Sequence, residues 1–215
     1  MILFIADTWC YFLICLAVLL SATIVMSIQS RGFVTMGQGK KSFSIFDLEF
    51  PVSGKALINL ITGIDKLPPA ESARSKRALK GQLYVDFIYM PGVYLGIFLL
   101  CMKTATKIPN VGGYIFAVLA WFQLIAWLGD IIENLFLLAK IRNPEEISPG
   151  TFKAYQVLEL IKWGSALKGF FFSCFALLFF FVTGKYASNP LSYFYCLLGE
   201  LFLFGLITYL TRKVK

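Results

Sequence analysis

The chain contains no histidine. That absence removes imidazole zinc sites, histidine-ligated haem, serine or cysteine nucleophiles activated by an imidazole base, and histidine proton relays. Any proton chemistry has to run on Asp, Glu, Lys, Tyr or Cys. Charge is scarce too: 15% of the 215 residues are Asp, Glu, Lys or Arg, against 58% hydrophobic, where soluble domains carry about 25% charged residues. The five cysteines, at 10, 15, 101, 174 and 196, lack CxxC spacing and any metal-ligand pattern. They are read as small apolar packing residues, with a disulfide near the outer surface as the alternative. No phosphate loop, nucleophile-base pair, metal set or cofactor motif occurs, so no cofactor and no metal is expected. The net charge of +8 does not point to nucleic acid, because no basic surface is interleaved with base-stacking aromatics in a soluble domain.

What the chain does have is long apolar sequence. Five runs, Trp9 to Ile28, Leu83 to Met102, Gly113 to Ala139, Trp163 to Val182 and Leu191 to Leu210, reach the roughly 20 residues that a bilayer crossing needs. The fold class predicted is therefore all-α, an integral membrane helix bundle of about five transmembrane helices forming a single membrane domain over residues 1–215. The first run has no Lys or Arg before it and Arg31 after it, the reverse of a secretory signal, so it reads as an uncleaved span.

Arg31 to Gln82 is the one sizeable polar stretch, too short and lysine-rich to be assumed to build a deep core of its own. Ser42 to Phe50 reads as extended chain against the membrane surface. Ser53 is placed to cap a helix over Lys55 to Asp65, whose apolar face is Leu57, Ile58, Ile61 and Ile64. Pro68 and Pro69 end that helix and open another. Arg74, Arg77 and Lys80 then form a juxtamembrane basic row, suited to anionic lipid head groups or simply to fixing orientation. Further along, Pro91 is expected to kink the second span, with Gly92 and Gly96 offering a close-packing face. Lys140 to Lys162 reads as a polar connector with a helical restart near Phe152.

Basic residues divide unevenly. With five spans and the N-terminus outside, one side receives sixteen and the other Lys103, Lys107 and Lys185, with Lys168 inside the fourth span. The positive-inside rule makes the first side cytoplasmic and puts the C-terminus there. Five intramembrane acids or polar partners then need explaining. Asp130, Glu133 and Asn134 lie along one side of the third span at helical spacing, Asp86 opens the second, and Glu200 sits near the middle of the fifth. An Asp at a helix centre costs roughly 2.5 to 3.5 kcal/mol on insertion scales, so the stripe should face protein or water. Lys162 and Lys168, which begin the fourth span, are the candidate bases for a buried polar cluster or relay. Ser165, Gly169 and Ser173 recur at spacing four and form a small-residue face for another helix, while Leu177 is expected to face lipid.

The run LYVDFIYMPGVYLG at 83–96, WLGDIIENLFLL at 127–138 and the FDLEF segment at 46–50 together resemble an uncharacterised group of small bacterial multi-pass membrane proteins. The resemblance implies a bacterial inner (plasma) membrane and brings no activity. Three functions remain open: a non-enzymatic accessory or assembly subunit, with a membrane-protein partner or a second copy of itself; a small proton- or ion-coupled transporter or channel; and a membrane-embedded lipid-modifying enzyme.

Overall fold

The computed structural model describes residues 9–184 and 190–213. Among them are seven helices and one hairpin: α1 (Trp9–Ser30), β1 (Val34–Met36), β2 (Lys40–Ser42), α2 (Phe46–Glu49), α3 (Gly54–Asp65), α4 (Pro69–Ala105), α5 (Asn110–Arg142), α6 (Pro149–Val182) and α7 (Pro190–Lys213). α1, α4, α5, α6 and the Tyr193–Arg212 part of α7 are long and apolar enough to cross a membrane. The protein is a multi-pass integral membrane protein. Lys185, expected on the outer side, and Lys215 lie outside the described residues.

The helices overrun their apolar stretches. α4 has 37 residues and contains Pro91, so it extends about 55 Å at 1.5 Å per residue. Proline at its first position lacks only an amide that would have no helical partner anyway. The connector expected over Lys140 to Lys162 is corrected to residues 143–148, with helix on both sides. Ser148 caps α6, its hydroxyl accepting from Thr151 N at 3.2 Å, and Lys140 and Arg142 close the last turn of α5, where cations suit the helix dipole. Much of the polarity there belongs to helix, not to a loop.

The chain divides into two compact units. The first comprises residues 1–24, 88–128 and 162–215. Its helices approach closely where side chains are missing: a Cβ on Gly92 would stand 2.9 Å from Cys15 O and Leu19 N of α1. Ile97, Leu99, Cys101, Met102 and Ala120 form its buried core. α7 offers only a narrow half-buried stripe, Tyr193, Leu197, Glu200, Phe204, Thr208 and Thr211. The rest of its described surface is exposed and almost wholly apolar, as a lipid-facing helix requires.

The second unit comprises residues 25–87 and 129–161. Here the polar segment takes part in a core that it shares with the long helices. Leu48, Leu57, Ile61, Ile64 and Leu67 bury against Leu79, Leu83, Leu137, Ile141 and Tyr155 of the long helices. The walls are borrowed, which is why composition within the segment underestimates it. α3 begins at the expected cap, with Ser53 Oγ accepting from Ala56 N at 3.1 Å. It packs on β1 through Gly63, where a Cβ would come within 2.7 Å of Met36 O, and Thr35 Oγ1 donates to Leu60 O at 2.8 Å. The extended chain expected over Ser42 to Phe50 is corrected: β2 ends at Ser42, and a helical turn follows from Phe46. Asp47 Oδ2 starts that turn by accepting from Ser44 N at 2.7 Å, a local bond that competes with strand pairing.

Candidate functional site

Within the second unit, the polar stripe of α5 points inward. Asp130, Glu133 and Asn134 are all buried, Glu133 to 1% exposure. The helix period explains why they share a face, and Leu137 continues that face into the apolar core. Gly129, just before them, lets α6 come close: a Cβ there would stand 2.9 Å from Leu158 Cδ1.

Asn134 joins two helices. Its Nδ2 donates to Asp86 Oδ2 at 2.7 Å and to Leu83 O at 3.3 Å, both on α4. The amide thus gives a half-buried carboxylate and a carbonyl in the middle of a helix their donors, using both of its protons.

Two further members lie in the stretch that reads as a connector. Tyr155 of α6 is buried, its ring 5.4 Å from that of Phe136, and its hydroxyl donates to Leu48 O at 2.9 Å. Glu133 is hydrogen-bonded to the same hydroxyl, and Glu159 and Glu49 lie within electrostatic range. A phenol has one proton, so carbonyl and carboxylate share the single donor. Glu159 is itself buried. The signal that would have found these two was present: Tyr155, Glu159 and Lys162 follow at spacings of four and three, one face of a helix once the stretch is read as helical.

Lys162, with which the first unit resumes on α6, is buried too. Asp86, Asp130, Glu133, Glu159 and Lys162 each engage a partner. Lys168, by contrast, is exposed on α6 in the first unit. Glu200, in the same unit, is half-buried, and its Oε2 is shielded with no hydrogen-bond partner among the described residues.

The basic row on α4 splits by face. Arg74 and Arg77 are exposed and Lys80 half-buried, while Ser75 and Leu79 turn inward. Ser75 Oγ accepts from Val34 N at 3.1 Å and donates to Val34 O at 2.9 Å, fastening β1 to the helix. Nearby ion pairs are Lys76 with Asp65, and Lys40 with Glu71 at 2.7 Å.

The small-residue stripe of α6 belongs to the first unit. Gln123 Nε2 donates to Ser165 O at 3.0 Å. A Cβ on Gly169 would stand 2.7 Å from that same nitrogen and 2.8 Å from Ile97 Cγ2. Ser173 Oγ donates to Cys101 Sγ at 3.2 Å. Leu177, expected at the lipid surface, is buried at 9% exposure: it is one turn past Ser173 and continues the stripe. All five cysteines are free thiols. Among the described residues no three Cys, Asp or Glu side chains converge as ligands for a metal ion.

Compared with protein families, with curated proteins and with solved structures, the chain matches none. Its function has to be argued from the site.

Proposed function

We propose that the protein is a non-enzymatic membrane subunit, an accessory or assembly component, whose buried polar cluster ties the polar segment to the long helices. The observation that carries this reading is how the cluster spends its hydrogen bonds. Asn134 is committed to Asp86 and Leu83 O, and Tyr155 to Leu48 O and Glu133. Each joins elements far apart in the chain. Bonds made from within, as by Asn134 and Tyr155, fix one arrangement of the elements that share them. A relay needs groups that exchange partners with a moving proton or ion.

The orientation in this reading has the N-terminus outside and the C-terminus cytoplasmic, supported by sixteen basic residues on one side against three on the other. The polar segment and its cluster then lie on the cytoplasmic side, where a soluble or membrane partner would meet them.

The test is Asp130→Asn in the full chain, purified in mild detergent and reconstituted in proteoliposomes. A structural cluster predicts lower thermal stability and ion flux at background in both parent and variant, with a stoichiometric partner retained by the parent on purification. A pH-dependent flux in the parent that the substitution abolishes, with folding intact, would replace this reading by the transporter.

A further inference from the structure

In the second unit, the segment from Ile45 to Ser53 is held from inside at two points. Leu48 is fully buried, and its carbonyl receives the Tyr155 hydroxyl. Gly54, which follows, sits so near the connector and the start of α6 that a Cβ would stand 3.2 Å from Ile147 Cβ and 3.6 Å from Phe152 Cδ2. Between and before these points the chain presents Phe46, Phe50 and Val52 outward, Val52 at 94% exposure. Phe46 and Phe50 are four apart on one helical turn and so share a face. Asp47 is engaged with Ser44. Three large apolar side chains exposed within seven residues, on a backbone fastened from behind, are a display and not a frayed loop.

The depth of this display can be read from the helices it touches. On α6, Tyr155 is followed by exposed Val157, Leu160 and Ile161. On α5, Glu133, the other partner of the Tyr155 hydroxyl, has exposed Ile132 and Leu135 beside it. Beside Tyr155 α6 still exposes Lys153 and Gln156, so Tyr155 and the Leu48 carbonyl it holds lie where polar surface gives way to apolar surface. The Phe46 to Val52 segment is fastened at this level through the Leu48 carbonyl. Lys55, exposed three residues after Val52, has the reach to put its ammonium among head groups while its stem lies along apolar surface.

We propose that Phe46, Phe50 and Val52 form an interfacial anchor, inserted at the boundary between head groups and acyl chains of the bilayer that the long helices cross. The occupant is lipid, because the patch is fastened to α6 beside the point where that candidate membrane span begins to expose apolar side chains. Aromatic and aliphatic side chains at that depth exchange water contact for acyl chains while the backbone stays at the polar surface. The anchor would hold the polar segment against the bilayer without a further crossing.

The experiment places a nitroxide at position 52 through Val52→Cys, and at the exposed hairpin tip through Gln38→Cys, in the full chain with its five cysteines replaced by Ala. The labelled protein is put in nanodiscs of phosphatidylcholine and phosphatidylglycerol. Collision with oxygen, which partitions into acyl chains, is compared with collision with a water-soluble nickel chelate. The anchor predicts an oxygen-to-nickel ratio severalfold higher at 52 than at 38. Equal ratios overturn it, and so does a label at 52 shielded from both reagents, which would mean that protein covers the patch. Should the cysteine-free background fail to fold, Val52→Trp with native cysteines gives a second reading. Brominated lipids should quench the added fluorescence relative to the parent, and no added quenching overturns the proposal.

Discussion

Tyr155→Phe removes one oxygen atom and leaves the shape of the core unchanged. The ring stays beside Phe136, at 5.4 Å between centroids, so no cavity opens and apolar burial is nearly conserved. What is lost is the proton that Leu48 O receives at 2.9 Å and shares with Glu133. A buried acceptor left without a donor costs about 1 to 3 kcal/mol. At about 2 kcal/mol the equilibrium for opening the polar segment shifts by a factor of roughly 30. Amide hydrogen exchange over peptides spanning residues 43–64 reads that equilibrium directly, because the hairpin, α2 and α3 close on the same core. Exchange there should accelerate by about that factor, while Tyr84→Phe, at an exposed position, should change it by no more than about 0.5 kcal/mol equivalent. A double-mutant cycle with Glu133→Gln separates the two acceptors. If the phenol serves mainly the carbonyl, the cost of losing it is the same in both backgrounds; if it serves the carboxylate, the two costs couple by about 0.5 kcal/mol or more. Exchange within twofold of the parent in Tyr155→Phe would refute the claim that this hydroxyl fastens the segment.

Two further expectations concern the first unit and the orientation. Gly169→Leu places a side chain where Gln123 Nε2 and Ile97 Cγ2 already stand, 2.7 and 2.8 Å from the position of its Cβ; overpacking of that kind costs about 1 to 3 kcal/mol. Its melting temperature in detergent should fall well below that of Leu178→Phe, made at an exposed position of the same helix; equal values would remove the helix contact from the account. Reporter fusions at Lys185 and Lys215 should fall on opposite sides of the membrane, and the same side for both would exclude five crossings.

The absence of histidine, the five apolar runs and the Ser53 cap are local properties, and the chain alone determines them. Hydropathy selects a crossing wherever about 20 apolar residues follow one another, whatever the neighbours do. The helix period likewise places Asp130, Glu133 and Asn134 on one face before any partner is known. Period says which residues share a face and leaves open what stands opposite. The Tyr155 hydroxyl meets a carbonyl 107 residues earlier in the chain, and no spacing rule connects the two. The α4 carboxylate of Asp86 meets Asn134 for the same kind of reason, through a contact 48 residues long in sequence. Composition also misjudged what lies between the spans. The polar segment looked too thin for a core of its own, and part of its apolar wall comes from Leu83, Leu137 and Ile141, residues outside it on the long helices. Leu177 looked like lipid surface because lipid and a neighbouring helix are equally apolar, so hydropathy does not distinguish the two environments. Only the approach of other elements, the α1 backbone at Gly92 and the side chains of Leu158 at Gly129 and of Gln123 and Ile97 at Gly169, decided which faces are covered.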